Sequence, residues 1–320
     1  MAWRSEPDRY SPDTLAAASR RGVLLGLGAA LLGAATPATR ATEVAPGVFV
    51  LPGLDEDAAA DNLDAIANTG FVVGRDAVAV IDPGGSLAHG RLLRHAVAAA
   101  TPLPIRHILI THVHPDHLMG ASAFADCGAA VIGHAKLPAA LAQRGEFYRR
   151  MLDREMGAAA AGSGALAPTR LVEDRLDLDL GGRVLALRAH APAHSDHDLS
   201  VLDATTGTLW AGDLLFVGRI PSLDGSLAGW LHELDALRAV PAARAVPGHG
   251  PPAVPWPAAA ADLTRYLLAL RDGTRAAIAA GIGIAEAPGR VAPDEATRWR
   301  LADAYHGRNV TAAYRELEWE

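Results

Sequence analysis

Residues 111–117 read Thr-His-Val-His-Pro-Asp-His, directly after an apolar, strand-like run from Ile105 to Ile110. His112, His114, Asp116 and His117 put four borderline metal ligands within six residues. Such a cluster cannot turn every donor to one cation from a helix or a strand. A tight loop at a strand end can divide them, His112 and His114 to one cation, Asp116 and His117 to another. Imidazole nitrogens with one carboxylate form the donor set that suits zinc.

Each half of that cluster is short of ligands, so the rest must come from further along the chain. Three residues stand where strands are expected to end: His194 in Ala-Pro-Ala-His-Ser, Asp213 in Leu-Trp-Ala-Gly-Asp, and His249 in Val-Pro-Gly-His-Gly. The expected sets are His112, His114 and His194 for one metal and Asp116, His117 and His249 for the other. Asp213 would bridge them through its separate carboxylate oxygens. Each metal then keeps an open position for a shared water, which separates a catalytic from a structural site.

With the H-x-H-x-D-H, P-x-H-S, G-D and G-H-G segments in order, the chain resembles the metallo-β-lactamase fold superfamily. The likeness implies a four-layer αβ/βα sandwich. A narrower resemblance rests on Asn68-Thr-Gly-Phe-Val-Val, Pro192-Ala-His-Ser-Asp-His-Asp-Leu, Gly207-Thr-Leu-Trp-Ala-Gly-Asp-Leu, Asp224-Gly-Ser-Leu-Ala-Gly-Trp-Leu and the C-terminal Arg308-Asn-Val-Thr-Ala-Ala-Tyr-Arg-Glu-Leu-Glu. In these segments the chain is similar to the quinoprotein relay system zinc metallohydrolases. That resemblance implies a setting beside a periplasmic quinoprotein dehydrogenase and leaves the substrate open. Asp82, in Ile-Asp-Pro-Gly, matches a superfamily position behind the metal loop. It is expected either to fix the tautomer of a ligand imidazole or to cap the turn at Pro83-Gly84.

The implied chemistry is hydrolysis by a zinc-bound hydroxide, since zinc lowers the pKa of its water to about 7. Asp116 is the candidate catalytic residue. Two Zn²⁺, the carboxylates Asp116 and Asp213 and one hydroxide leave about one positive charge in the cleft, favouring an anionic ester, thioester, lactone or amide. Three alternatives use the same donors or the same setting: a β-lactamase, an iron-dependent oxidase or dioxygenase, and a non-catalytic accessory of quinoprotein maturation. Asp213 resembles glyoxalase-II-like hydrolases more than lactamases, and His114 stands where diiron members usually carry Glu.

Residues 1–41 read as a targeting segment outside the fold. Ser19-Arg20-Arg21-Gly22 precedes an Ala/Leu/Gly run to about Ala35, the pattern of a twin-arginine signal for export to the periplasm. The apolar run is short of the roughly 20 residues a permanent span needs, so no stable membrane anchor is expected. Removing five Arg and three acids with that segment leaves 24 basic and 33 acidic residues, a net charge of −9. No basic stripe remains for a phosphate backbone, which argues against nucleic acid as a partner and for a small molecule. The single cysteine, Cys127, cannot form an internal disulfide and is expected as a small buried hydrophobe.

Residues 42–320 are expected to form one domain of strands and outer helices. Strands are expected at Val48–Leu51, Thr69–Val73, Ala77–Asp82, Ile105–Thr111, Ala130–Gly133, Leu176–Leu180, Arg183–Ala189, Leu199–Asp203 and Thr208–Ala211. Gly181-Gly182 and Thr206-Gly207 supply hairpin turns. Helices are expected at Ser86–Ala100, Ala121–Phe124, Pro138–Met156, Ala258–Ala280, Asp294–Tyr305 and Asn309–Glu318, with loops at 157–164 and 216–232. His190 and His197 are expected exposed or in support of the ligands, His134 at the surface, Trp210 and Trp230 in packing, and Arg219 is a candidate contact for a substrate anion.

Overall fold

The computed structural model describes residues 36–320. The expected signal segment falls almost wholly outside them. Two sheets lie face to face. The first runs β1 (Thr42–Ala45), β2 (Val48–Leu51), β3 (Thr69–Val73), β4 (Val78–Ile81), β5 (Ile105–Leu109), β6 (Ala130–His134) and β7 (Arg170–Val172), each strand paired with its neighbour in sequence. The second, in spatial order, runs β13 (Val254–Pro255), β12 (Arg244–His249), β11 (Thr208–Phe216), β10 (Leu199–Asp203), β9 (Val184–Ala189) and β8 (Arg175–Asp179).

Strict alternation in fully buried strands builds the layers. In β4, Val78 and Val80 face the outer helices while Ala79 and Ile81 join Leu109, Ile132, Leu185, Val201 and Trp210 between the sheets. A strand covered on both faces is apolar at every position, as the Val-Ala-Val-Ile of β4 is. Helices α1 (Leu87–Ala100), α2 (Pro115–Leu118) and α3 (Leu137–Met156) lie on the first sheet. Helices α4 (Leu227–Arg238), α5 (Ala260–Ala279) and α7 (Ala302–Leu317) cover the second, with the single turn α6 (Pro293–Ala296) beside them. This is the expected αβ/βα sandwich. Strands β4 to β7 are parallel, as are β11 and β12, and both sets of parallel strands end at the metal-loop edge. Parallel α/β sheets present their ligand sites at such carboxyl ends.

Several element boundaries differ from expectation. The strand expected to stop at Ala211 continues through Asp213 to Phe216, because Gly212 takes φ +52° and a bulge lets the chain stay in register with β12. The segment 216–232 is not one loop, since α4 begins at Leu227, capped by Ser226, whose Oγ accepts from Gly229 N. Helix does not run from Asp294 to Tyr305: α6 ends at Ala296, and α7 begins only after Leu301, at φ +61°, then runs unbroken to Leu317. Part of the 157–164 loop is a 3-10 turn, Gly157–Ala160. Among the described residues, no helix is long and apolar enough to cross a membrane.

The start of α1 carries a titration. Ser86 Oγ caps the helix by accepting from His89 N, and His89 Nδ1 accepts from Gly85 N at 3.3 Å. Burial disfavours the His89 imidazolium and lowers its pKa from 6.5 to about 4. The unfolded chain therefore binds a proton below pH 6.5 that the folded chain refuses until about pH 4. The neutral ring's full contribution is present above pH 6.5. It declines as the pH falls through that window, by roughly 3 kcal/mol at its foot. His89→Gln should flatten the decline in urea-derived stability between pH 7 and pH 4. An unchanged slope would exclude His89 as its source.

Candidate metal centre

All seven expected donors meet at this edge, and they form two groups whose ligating atoms lie within 4.8 Å of one another. One group is His112, His114, His194 and Asp213; the other is Asp116, His117 and His249. Strand β5 delivers the cluster, the chain turns over residues 110–114, and Pro115 opens α2, which carries Asp116 and His117 on one helical turn. His194 follows β9, and His249 closes β12.

Outer hydrogen bonds assign each imidazole tautomer. His117 Nδ1 donates to Asp82 Oδ2 at 2.8 Å, His194 Nδ1 to the Ser222 carbonyl at 2.7 Å and His249 Nδ1 to the Ile66 carbonyl at 2.9 Å. His114 Nε2 donates to Asp224 Oδ2 at 3.2 Å. Thr111 Oγ1 gives its proton to Asp82 Oδ2 and so accepts from His112 Nδ1 at 3.0 Å. The opposite nitrogen of each ring is then a lone pair aimed inward.

Those lone pairs converge on one another. His112 Nε2 and His194 Nε2 each stand 3.0 Å from His114 Nδ1. His117 Nε2 and Asp213 Oδ1 are 3.1 Å apart, buried, and neither has a hydrogen-bond partner. His249 Nε2 lies 3.3 Å from Asp116 Oδ2, and His117 Nε2 3.6 Å from it. Buried acceptors facing acceptors repel unless a cation sits between them. With zinc–ligand bonds of about 2.0–2.1 Å, neighbouring donors of a tetrahedral site lie about 3.3 Å apart, the middle of the observed range. The residues fit two metal ions.

Asp213 departs from the expected division of its oxygens. Oδ2 faces both groups, 3.6 Å from His112 Nε2, 3.4 Å from His194 Nε2 and 3.5 Å from His249 Nε2, while Oδ1 meets only His117. Asp213 stands inside β11 beside the register shift at Gly212 and not at a strand end.

The electrostatics are those of a cation site. Burial opposes the charged form of Asp213, yet positive charge on His117 and His249, which the facing carboxylates favour by raising both rings, outweighs it and holds the carboxyl far below its usual range; bound cations would take the place of those protons. Asp116 is likewise lowered, burial being overcome by His117 and His249. Burial also drives His112 well down and His194 to about 3, so both rings are neutral and able to ligate.

Asp82 supports the loop through three contacts. Besides His117, it accepts from Thr111 N and Thr111 Oγ1, each at 2.8 Å, from a backbone at φ +51°. Arg219, a candidate anion contact by sequence, is 5% exposed and lies on the outer side of His249. It donates to the Glu56 carbonyl at 3.0 Å and packs over the Tyr305 ring, so it braces residues 52–68. His134, expected at the surface, is buried, and so is His190. His190 lies between Glu233 and Ser200 at 2.8 Å each, and His134 Nδ1 accepts from Lys136 N. His197 is buried too, bonded to Ser195 Oγ at 2.7 Å.

Three supports escaped the sequence reading. Asn68 ties the two sheets behind His249 by donating from Nδ2 to the Pro247 and Gly250 carbonyls. Asn309 and Glu316 of α7 hold the 221–228 segment that carries Ser222 and Asp224. Asn309 donates to the Pro221 carbonyl and accepts from Leu223 N, and Glu316 accepts from Ser226 Oγ and Leu227 N. Asn68, Asn309 and Glu316 all lie within segments that carry the narrower resemblance, the one signal that pointed toward them.

A two-sheet αβ/βα sandwich with a histidine-aspartate centre at one edge defines a class, and the sequence agrees: residues 64–249 match the metallo-beta-lactamase superfamily. The chain belongs to that superfamily. Its fold is similar to the inverting sec-alkylsulfatase Pisa1 from Pseudomonas sp., with a TM-score of 0.67 at 17% identity over 88% of this chain and 50% of that one. The chain thus spans about half the length of that sulfatase. It is also similar to a metallo-beta-lactamase from Pontibacter korlensis (TM-score 0.58, 17% identity, 71% of this chain and 98% of that one). A metallo-beta-lactamase from Hirschia baltica gives a TM-score of 0.54 at 19% identity, over 71% of this chain and 96% of its own. No curated protein matches the chain in sequence.

Proposed function

We propose that the protein is an exported binuclear zinc hydrolase acting on a small anionic ester, thioester, lactone or amide. The observation that carries the reading is the inward convergence of five imidazole lone pairs on two carboxylates, each ring fixed from outside. His112, His114 and His194 would hold one ion, Asp116, His117 and His249 the other, with Asp213 shared. Bound there, two zinc ions supply an acidified water and polarise the scissile group. Asp116 turns Oδ2 toward His117 and His249, and its other oxygen would accept a proton from the attacking water. Asp82 and Asp224 keep His117 and His114 in the ligating tautomer. Export by the twin-arginine route rests on Arg20-Arg21 ahead of the apolar run, and a place beside a periplasmic quinoprotein dehydrogenase on the sequence resemblance.

The test is elemental analysis of the mature chain from the periplasm, followed by chelation. Two zinc ions per chain are expected, with hydrolysis of a thioester, lactone, β-lactam or sulfate ester lost on chelation and restored by zinc. One iron per chain, or no metal, would overturn the assignment.

A further inference from the structure

The centre opens on one side. His114 is the most exposed of its ligands, its side chain 16% accessible, with Asp116 next at 12% and the other five at 4% or less. A substrate must therefore arrive across His114 and Asp116. What stands at the His114 rim is one face of α3, where Arg144, Phe147 and Tyr148 share the i, i+3, i+4 spacing.

Tyr148 lies edge-on to His114, the ring centroids 6.2 Å apart at 88°. Its hydroxyl accepts from Arg144 NH1 at 3.4 Å. The same NH1 pairs with Asp224 Oδ2, the oxygen that also accepts from His114 Nε2. Arg144 is thus one carboxylate away from a ligand imidazole, yet its side chain remains 35% exposed. Among the described residues, its Nε and NH2 have no acceptor. Phe147, edge-to-face on Tyr148 with centroids 5.7 Å apart, is 57% exposed beside them. A guanidinium held at the rim by one nitrogen, with a fork of donors unused, matches a planar anion.

We propose that Arg144 is the receptor for an anionic group of the substrate and that Phe147 carries the apolar part next to it. The substrate class is then a carboxylate-, sulfate- or phosphate-bearing molecule whose anion lies at a distance from the scissile bond. This deepens the reading of the centre as a zinc hydrolase and rests on it. Arg144 is a specificity residue, since the reacting atoms lie at the metal ligands and not on α3.

Thiol probes separate the two readings, because a thiolate serves zinc whatever its tail carries. A series from mercaptoacetate to 6-mercaptohexanoate, each compared with its amide, would be titrated calorimetrically into zinc-loaded protein. At the chain length that spans from the metals to α3, the acid should bind about tenfold more tightly than the amide, the scale of a charge-assisted hydrogen bond. In Arg144→Gln that preference should vanish while the amides keep their affinity and the zinc content stays at the wild-type value. Equal binding of acids and amides throughout the wild-type series would overturn the inference and leave the metal centre intact. A variant that weakens acids and amides alike would also overturn it, showing that Arg144 acts on His114 through Asp224. Failure of every thiol to bind would overturn the zinc centre itself, and the inference with it.

Discussion

Gly248→Ala is expected to cost the protein its second metal ion and at least about a hundredfold in turnover, since loss of even an outer partner costs 10- to 100-fold. Gly248 precedes His249 on β12 and lies beneath Asp213 of the adjacent strand. A Cβ built on it overlaps Asp213 Oδ1 and stands 2.9 Å from the Gly212 carbonyl carbon and 3.0 Å from Asp213 Cγ. Its backbone is not in the left-handed region, so alanine brings no conformational strain of its own there. The methyl group must either push the carboxylate aside or part β11 from β12. The carboxylate is the softer of the two, because strand separation would also break the parallel pairing from Thr208 to Phe216. Displacing it removes the one residue that faces both donor groups. Elemental analysis should therefore read about one zinc per chain or fewer, with a urea midpoint close to that of chelated wild type. Two zinc ions and wild-type turnover in this variant would refute the shared role of Asp213.

Trp230→Ala should destabilise the fold by about 3–5 kcal/mol, the cost of truncating a large buried aromatic. Trp230 is fully buried on α4, and its indole Nε1 donates to the Leu214 carbonyl of β11 at 3.1 Å. Its ring meets His194 at 5.2 Å and Phe216 at 6.1 Å between centroids. Truncation opens a cavity between helix and sheet, leaves a buried carbonyl without its donor, and removes the wall that His194 leans on. Stability and metal affinity should fall together. Trp230→Phe keeps the wall and loses the donor, so it should cost about 1–3 kcal/mol, the penalty of one unsatisfied buried acceptor. Denaturant unfolding of zinc-loaded and chelated protein measures both. A loss below about 1 kcal/mol for the alanine variant would mean that α4 repacks freely and does not position His194.

The long periodic segments were legible because their pattern is local. The apolar, β-branched run Val78–Ile81 and helical spacing in Leu87–Ala100 and Leu137–Met156 each define an element without reference to the rest of the chain. Gly181-Gly182 and Thr206-Gly207 marked the β8–β9 and β10–β11 hairpins for the same reason. Strand β12 was marked only by its expected end at His249, and helix α4 was not marked at all, because neither announces itself. Arg244–His249 carries Pro247 and Gly248 inside a strand, tolerated beside β11 only because a bulge shifts the register there. Leu227–Arg238 is a helix whose capping Ser226 is held by Glu316, 90 residues away.

The donors themselves were written in the sequence, since histidine and aspartate side chains declare their ligand chemistry by identity and the loop motif declares their spacing. The αβ/βα layering followed from the same residues through family resemblance and apolar alternation. Tertiary structure alone decided which atom of each donor faces inward. The Nε2 of His114 is turned outward by Asp224, 110 residues on, and the Nδ1 of His249 by the Ile66 carbonyl, 183 residues back. It also decided that Asp213 presents one oxygen to both groups, and that Arg144 stands at the open rim while Arg219 is buried. Ligand type is a property of a side chain, but its tautomer, orientation and access depend on groups that only the packing of two sheets brings within hydrogen-bonding distance.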